Sequence, residues 1–261
     1  MDEATMNKAA ALIGTARRHK KPLAGLPEDC RPQTPEEAYA IQDKVVQGLG
    51  PTAGWKVGAT SKFAQELLAT EQPFRGRLIE VRCHDSPATL SVGDFTTMCR
   101  IEIEYAFRLG RALPALSAPY DRDSVAEAVE VLLPAFEIID SRYTDWTKRG
   151  ALQLIADNGC SGQFVMGAPV TDWRDVDLAG HSITITVNGD LVSTGSGDRV
   201  LGHPLNALAW LANDAASSGQ GLAAGEVVTT GSCADIVAVE PGQIALGDFG
   251  ALGSVTIEFV V

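Results

Sequence analysis

Hydrophobic positions in the first 75 residues recur mainly at helical spacing. Residues 4 to 21 read as an opening helix, and Thr34-Pro35-Glu36-Glu37 supplies an N-cap, a first-turn proline and a returning glutamate for a second. Ala38, Ile41, Val45 and Leu49 then share one stripe. Gly54 to Ala59 is a short apolar strand carrying Lys56, and Ser61 to Ala69 reads as a further short helix. From about residue 76 short strands alternate with Gly, Pro and Asp. Ser124 with Glu127 predicts a capped helix that Pro134 stops, and Pro204 opens another whose apolar face is Leu205, Leu208, Leu211 and Ala212, ending before Gly219. Strict alternation from Ser182 to Val187, followed by Asn188-Gly189, predicts a tight hairpin. Late strands are read at Glu226 to Thr230 and Ser254 to Val261. The organisation expected is a mainly helical lobe over 1–75 and a β-rich body over 76–261, or one structural domain overall, without repeats or low-complexity linkers.

Composition narrows the function classes. A chain of 261 residues, 45% hydrophobic, buries a substantial core. A formal net charge of −12 disfavours a sequence-independent electrostatic grip on nucleic acid or anionic lipid. Cys30, Cys83, Cys99, Cys160 and Cys233 are odd in number and widely spaced, with no zinc-like cluster, which suits a reducing, cytoplasmic compartment. Neither a signal peptide nor a membrane span is expected, because no apolar run reaches about 18 residues.

The candidate chemistry is carboxylate chemistry. In Cys99 to Arg108, read as a strand, Ile101, Ile103, Tyr105 and Phe107 face one side while Glu102 and Glu104 face the other. Residues two apart on a strand sit about 7 Å apart, so one cation between the tips takes an oxygen from each, although an isolated Glu-x-Glu is also an ordinary solvated face. Glu137 lies within Val131-Leu132-Leu133-Pro134-Ala135-Phe136-Glu137-Ile138-Ile139, a run expected to be buried. A carboxylate there needs a proton, a cationic partner such as Arg142 or Arg100, or a metal. Three converging carboxylates favour Mg²⁺ or Mn²⁺ over zinc.

Lys56 sits between Trp55 and Val57 and is flanked by Gly54 and Gly58. It reads either as an edge-strand lysine or as a group that binds a substrate carboxylate or transfers protons. The loop Asp157-Asn158-Gly159-Cys160-Ser161-Gly162 offers amides and a hydroxyl, or is simply a turn. Cys160 has no histidine assignable as its base, which disfavours nucleophilic catalysis.

These segments together resemble the hydratase and decarboxylase branch of the fumarylacetoacetate hydrolase superfamily, collinearly over about residues 34 to 259. The carriers are Gly54-Trp55-Lys56-Val57-Gly58-Ala59-Thr60-Ser61, Ile101-Glu102-Ile103-Glu104, Pro134 to Arg142, Asp145-Trp146, Ala156-Asp157-Asn158 with Ser161-Gly162, Leu201 to Ala207, Trp210 to Asn213, and Thr230-Gly231-Ser232. The resemblance implies an α+β fold, a mixed β-roll or β-sandwich with peripheral helices. It makes Glu102, Glu104 and Glu137 the ligands of Mg²⁺ or Mn²⁺ and puts Lys56 and Ser161 near the substrate. One departure is Thr70-Glu71-Gln72-Pro73, where the family often has Val-Asp-x-Pro; that segment is expected to cover the site and bears on substrate preference.

The activity so implied is addition of water to a 2-hydroxy-2,4-dienoate, giving a 4-hydroxy-2-oxo acid, with Lys56 binding substrate or moving protons and Ser161 and Glu71 orienting water. Decarboxylation of a vinylogous 2-oxo diacid of the 4-oxalocrotonate type uses the same three carboxylates, with Arg75 or Arg77 as candidate holders of a second carboxylate. Acylpyruvate hydrolysis lacks an identifiable histidine-carboxylate water activator. A non-catalytic partner subunit is the reading of another class, opposed by the complete Glu102, Glu104, Glu137 and Lys56 set. A homo-oligomer is expected, with association with a pathway decarboxylase as a further reading.

Overall fold

The computed structural model describes residues 1–261. Helices α1 (Glu3–His19) and α2 (Pro35–Gln47) precede β1 (Thr52–Gly58), α3 (Lys62–Leu67) and β2 (Phe74–Ile79). Strands β3 (Cys83–Asp85), β4 (Ala88–Ser91) and β5 (Arg100–Leu109) follow, then α4 (Arg122–Ala128), β6 (Val129–Ile139), α5 (Ala151–Ala156), β7 (Ser161–Met166), β8 (Ser182–Val187) and β9 (Asp190–Ser196). Helix α6 (Pro204–Ser217) leads to β10 (Val227–Thr229), β11 (Val237–Ala238), β12 (Ile244–Asp248) and β13 (Ser254–Val260).

The strands form two mixed sheets. The larger has the order β2-β1-β10-β5-β6-β7-β3, with β11 added against β5, and the smaller has the order β4-β13-β12-β8-β9. The sequence alternation in β5 decides what lies between them. Ile101, Ile103, Tyr105 and Phe107 are fully buried in one cluster with Phe136 and Ile138 of β6, Ile185 of β8, and Ile257 and Phe259 of β13. Burial of each such side chain contributes about 1.5–3 kcal/mol, so the isoleucine-tyrosine-phenylalanine face is committed to the inter-sheet core. The glutamate face must then look the other way. This is the expected α+β architecture, and no helix is long and apolar enough to cross a membrane.

Residues 1–75 supply α1, α2 and α3, and also β1, which lies inside the larger sheet between β2 and β10. Ala9 and Ile13 of α1 and Ile41 and Val45 of α2 pack with Phe74, Tyr143, Leu154 and Cys160 in a second apolar cluster. Both helices start at caps the chain encodes: Asp2 accepts the Thr5 N–H at 2.8 Å, and the Thr34 hydroxyl accepts the Glu37 N–H at 3.3 Å. Glu37 returns to the Gln33 N–H at 2.8 Å instead of to Thr34 itself.

The helix expected from Ser124 toward Pro134 is different. Asp121 is the N-cap, Ser124 is its third residue and completes a capping box, and α4 ends at Ala128. Pro134 lies inside β6, opposite Tyr105. A central strand tolerates it because its other side is open there: β7 pairs with β6 only from Ala135 onward, and the next contact is the bridge from Leu132 to Val170. The missing N–H falls in the gap, while the Pro134 carbonyl accepts the Gly167 N–H at 2.7 Å. The Asn188-Gly189 turn joins β8 to β9 with both residues at positive φ, as the dipeptide predicts.

Candidate metal centre and active site

Glu102 stands directly opposite Glu137 across the β5–β6 ladder, and Glu104 is opposite Ala135. Residues two apart on β5 leave the same face, and cross-strand pairing brings Glu137 to it. One oxygen from each of Glu102, Glu104 and Glu137 lies within 4.8 Å of the others. Glu104 and Glu137 are buried, and Glu102 is partly so.

Lys56 reaches the cluster from two strands away. It is 3% exposed on the interior strand β1, so the edge-strand reading does not apply. Its Nζ lies 2.8 Å from Glu137 Oε1 and donates to the Gly159 carbonyl at 2.8 Å. Gly76, its register partner on β2, leaves space for it: a Cβ at Gly76 would fall 2.8 Å from the Asn158 carbonyl and 3.0 Å from Lys56 Cγ. Asn158 ties its loop to β2, its Oδ1 accepting the Arg77 N–H at 2.7 Å and its Nδ2 donating to the Arg77 carbonyl at 2.9 Å. The contribution of this loop to the cluster is thus the Gly159 carbonyl.

Glu104 Oε2 accepts the Gly231 N–H at 2.8 Å and the Thr229 hydroxyl. Gly231 has φ +102, and a side chain there would run into Thr60 Oγ1. Glu104 Oε1 is buried without a hydrogen bond, and Glu137 Oε1 has its close charge contact with Lys56 but no hydrogen-bond geometry. Burial raises the carboxyls of all three glutamates above their ordinary range; the Glu137 charge adds to this for the other two, while Lys56 opposes it. Glu102 is pushed up to about 7. On Lys56 burial disfavours the charge, but Glu137 and then Glu102 outweigh it and hold the ammonium above its ordinary value. Fully ionised, three carboxylates against one ammonium leave two negative charges in a desolvated pocket, which is costly unless matched. Under-bonded oxygens on two carboxylates and an all-oxygen donor set fit one hard divalent cation.

A cavity of about 610 Å³ opens from this cluster. Lys56 and Glu102 line it together with Thr60, Ser232, Arg199 and Asp235, and its apolar lining includes side chains of α3, Phe74, Ile139, Trp146, Leu154 and Ile236. The remaining sequence candidates lie elsewhere. Ser161 is buried at the start of β7 opposite Ile139, its carbonyl accepting from Arg17 at 2.9 Å and Arg142 at 3.3 Å, and it is not among the lining residues. Glu71 is exposed on the turn before β2, outside the cavity. Arg142 is fully buried against Asp157 and Asp140, and Arg100 is exposed, so neither is the partner of Glu137. Arg75 pairs with Asp214 and Arg77 with Glu226, both on the face opposite Lys56. Cys160 lines the cavity, but burial pushes its thiol up to about 12, which leaves it a poor nucleophile.

Comparison with known proteins places this arrangement in a family. The sequence model described as fumarylacetoacetate (FAA) hydrolase C-terminal matches residues 72–258. The chain belongs to the fumarylacetoacetate hydrolase family. Within it, the chain is 33% identical over 256 residues to the 2-keto-4-pentenoate hydratase of Paraburkholderia xenovorans (strain LB400), covering 97% of this chain and 94% of that protein. It is 34% identical over 249 residues to the 2-hydroxyhexa-2,4-dienoate hydratase of Comamonas testosteroni, covering 94% and 93%. Among solved structures, 4-oxalocrotonate decarboxylase from Pseudomonas putida G7, complexed with magnesium and adipate, superposes with a TM-score of 0.93 at 27% identity, over 100% of this chain and 99% of that one. Divalent-metal use by this member of the family is supported by that complex together with the Glu102, Glu104 and Glu137 cluster.

Three contributors escaped the sequence reading. Thr229 and the Gly231 N–H, which hold Glu104, and the Gly159 carbonyl, which holds Lys56, act through geometry that no spacing encodes. Thr230-Gly231-Ser232 was at least legible as a segment of the resemblance.

Proposed function

We propose that this protein is a divalent-metal-dependent hydro-lyase that adds water to a 2-hydroxy-2,4-dienoate to give a 4-hydroxy-2-oxo acid, in the breakdown of aromatic compounds. The observation that carries the reading is the Glu102, Glu104, Glu137 and Lys56 cluster at the polar end of an otherwise largely apolar cavity, in a chain whose near-full-length relatives are named hydratases. Glu102, Glu104 and Glu137 are the proposed ligands of Mg²⁺ or Mn²⁺, and a cation there would supply Lewis-acid polarisation and orientation of a 2-oxo acid. Lys56 is proposed to bind the substrate carboxylate or to carry a proton, since it alone puts an ammonium beside both the carboxylates and the cavity. In the overall change the enol proton leaves the C2 oxygen and C5 gains a proton; water oxygen then bonds to C4 and C3 takes the accompanying proton. Ser161 and Glu71 are secondary proposals for orienting water, and Glu71 reaches the cavity only if its turn moves.

The decarboxylase reading is less well supported. The cavity cations are Lys56, in a buried pair with Glu137, and Arg199, in a largely exposed pair with Asp235, so it is the hydratase names of the near-full-length relatives that weigh against a diacid substrate. Self-association, pairing with a decarboxylase and a cytoplasmic location belong to the same proposal; light scattering and co-purification measure the first two. Incubation with 2-hydroxypenta-2,4-dienoate in H₂¹⁸O, with and without Mg²⁺ or Mn²⁺, tests the reaction. Metal-dependent loss of the diene absorbance with label in the C4 hydroxyl is expected, whereas inert dienoates alongside carbon dioxide release from 4-oxalocrotonate would replace hydration with decarboxylation.

A further inference from the structure

The cavity is larger and more apolar than a five-carbon acid requires. At about 610 Å³ it falls in the range, about 300–1,000 Å³, of sites that enclose drug-sized ligands. Thirteen of its 23 lining residues are hydrophobic, so most of the wall gains nothing from a small polar substrate. The apolar side is built as well as merely present: Phe74, Ile139, Leu154 and Leu68 are each at most 6% exposed and fixed in packed positions. Phe63 and Leu67 of α3 continue this surface outward, yet they are 74% and 43% exposed, large apolar side chains that the fold leaves uncovered at the cavity. Of the polar lining groups, Lys56 and Glu102 lie at the carboxylate cluster, Ser61 caps α3, and Arg199 meets Asp235 at 2.8 Å in a largely exposed pair.

We infer that the wall formed by Phe63, Leu67, Leu68, Phe74, Ile139 and Leu154 receives an extended, uncharged alkyl or aryl substituent, so that the preferred substrates are 2-hydroxydienoic monoacids substituted at the end distant from the carboxylate. This rests on the proposed binding of a 2-oxo or 2-hydroxydienoic acid at the carboxylate cluster and adds the substrate class. The physical reason is water release from Phe63 and Leu67, the exposed members of this wall, over the already dehydrated Phe74, Ile139, Leu154 and Leu68, whereas a charged tail directed there loses solvation.

Calorimetric titration of the Mn²⁺-supplemented protein with inert saturated 2-oxo acids tests this without relying on turnover. 2-Oxobutanoate, 2-oxohexanoate, 2-oxooctanoate and 4-phenyl-2-oxobutanoate form the apolar series, and 2-oxoadipate is the charged comparator. Affinity is expected to rise by up to about fourfold per added methylene, the factor for full burial of that group, with an increasingly negative heat-capacity change. 2-Oxoadipate should bind no better than 2-oxobutanoate. Leu67→Trp, which occupies the same space from an exposed position, should lower the octanoate-to-butanoate affinity ratio at least tenfold. Binding that is equally tight across the apolar series, or tightest for 2-oxoadipate, overturns the tail assignment while leaving the 2-oxo acid site intact. Binding of none of these acids, short or long, overturns the 2-oxo acid reading itself and the tail assignment with it.

Discussion

Lys56 Nζ lies 2.8 Å from Glu137 Oε1, in a pair whose members are 3% and 1% exposed. It is the one ammonium in contact with a group of three carboxylates, and it is part of the cavity lining. The same side chain therefore has two consequences, for charge balance in the cluster and for the chemistry at its surface.

Lys56→Met keeps a long side chain and removes the charge. Turnover of a 2-hydroxydienoate is expected to fall about 10²–10⁴-fold, the usual contribution of a positioned proton-transfer group, while circular dichroism and Mn²⁺ binding persist. Near-normal kcat in a variant that binds metal would reduce Lys56 to a charge-balancing role.

One Mg²⁺ or Mn²⁺ per chain should bind, and Glu104→Gln should weaken that binding by at least tenfold because it removes a charged donor whose Oε1 is otherwise unpartnered. At metal concentrations about 100 times Kd, the wild-type protein should gain about 2.7 kcal/mol of stability. Mn²⁺ electron paramagnetic resonance and thermal melts with and without a chelator read both quantities, and an unchanged melt on metal addition would argue against the site.

Protons and metal compete for the same oxygens, so pH has a definite sign here. Burial, followed by the charge of Glu137, lifts Glu102 to about 7, above its unfolded value. The folded, metal-free protein therefore holds more protons than the unfolded chain between about pH 4.5 and 7. The stability this gives is complete below the unfolded value and is lost as pH rises through about 7. Metal affinity runs the opposite way, rising across the same interval as the carboxylates deprotonate. Chelator-treated melts and Mn²⁺ titrations at pH 5.5, 6.5 and 7.5 should show these opposed trends, and metal affinity independent of pH would contradict them.

Asp157→Asn tests the framework behind the site. Asp157 accepts the Arg142 backbone N–H at 2.8 Å and pairs with its guanidinium, and both residues are fully buried. Leaving Arg142 without this charge should cost about 3–5 kcal/mol, visible as a lower denaturant midpoint with little change in metal affinity per folded molecule. A midpoint within experimental error of wild type would mean that Asp140, 3.4 Å from Arg142 on its other side, suffices alone.

Much of this was legible in the chain. Strand alternation around Ile101, Ile103, Tyr105 and Phe107 put Glu102 and Glu104 on one face, because the side-chain period of a strand is two. The apolar run around Glu137 announced a buried carboxylate in need of a partner, and Asn188-Gly189 announced a hairpin for the same local reason. Pro134 misled, since whether a proline ends an element depends on what faces its missing N–H, and that is set by where β7 stops pairing. The register of β5 against β6, the approach of Lys56 across β10, the diversion of Arg142 to Asp157 and the joining of α3 to the cavity wall were decided only in three dimensions. Local propensity acts over a few residues. Cross-strand register and the choice among available counter-ions depend on groups far apart in the chain, 81 positions for Lys56 and Glu137 and 149 for Arg77 and Glu226, and only the packed fold brings these within reach.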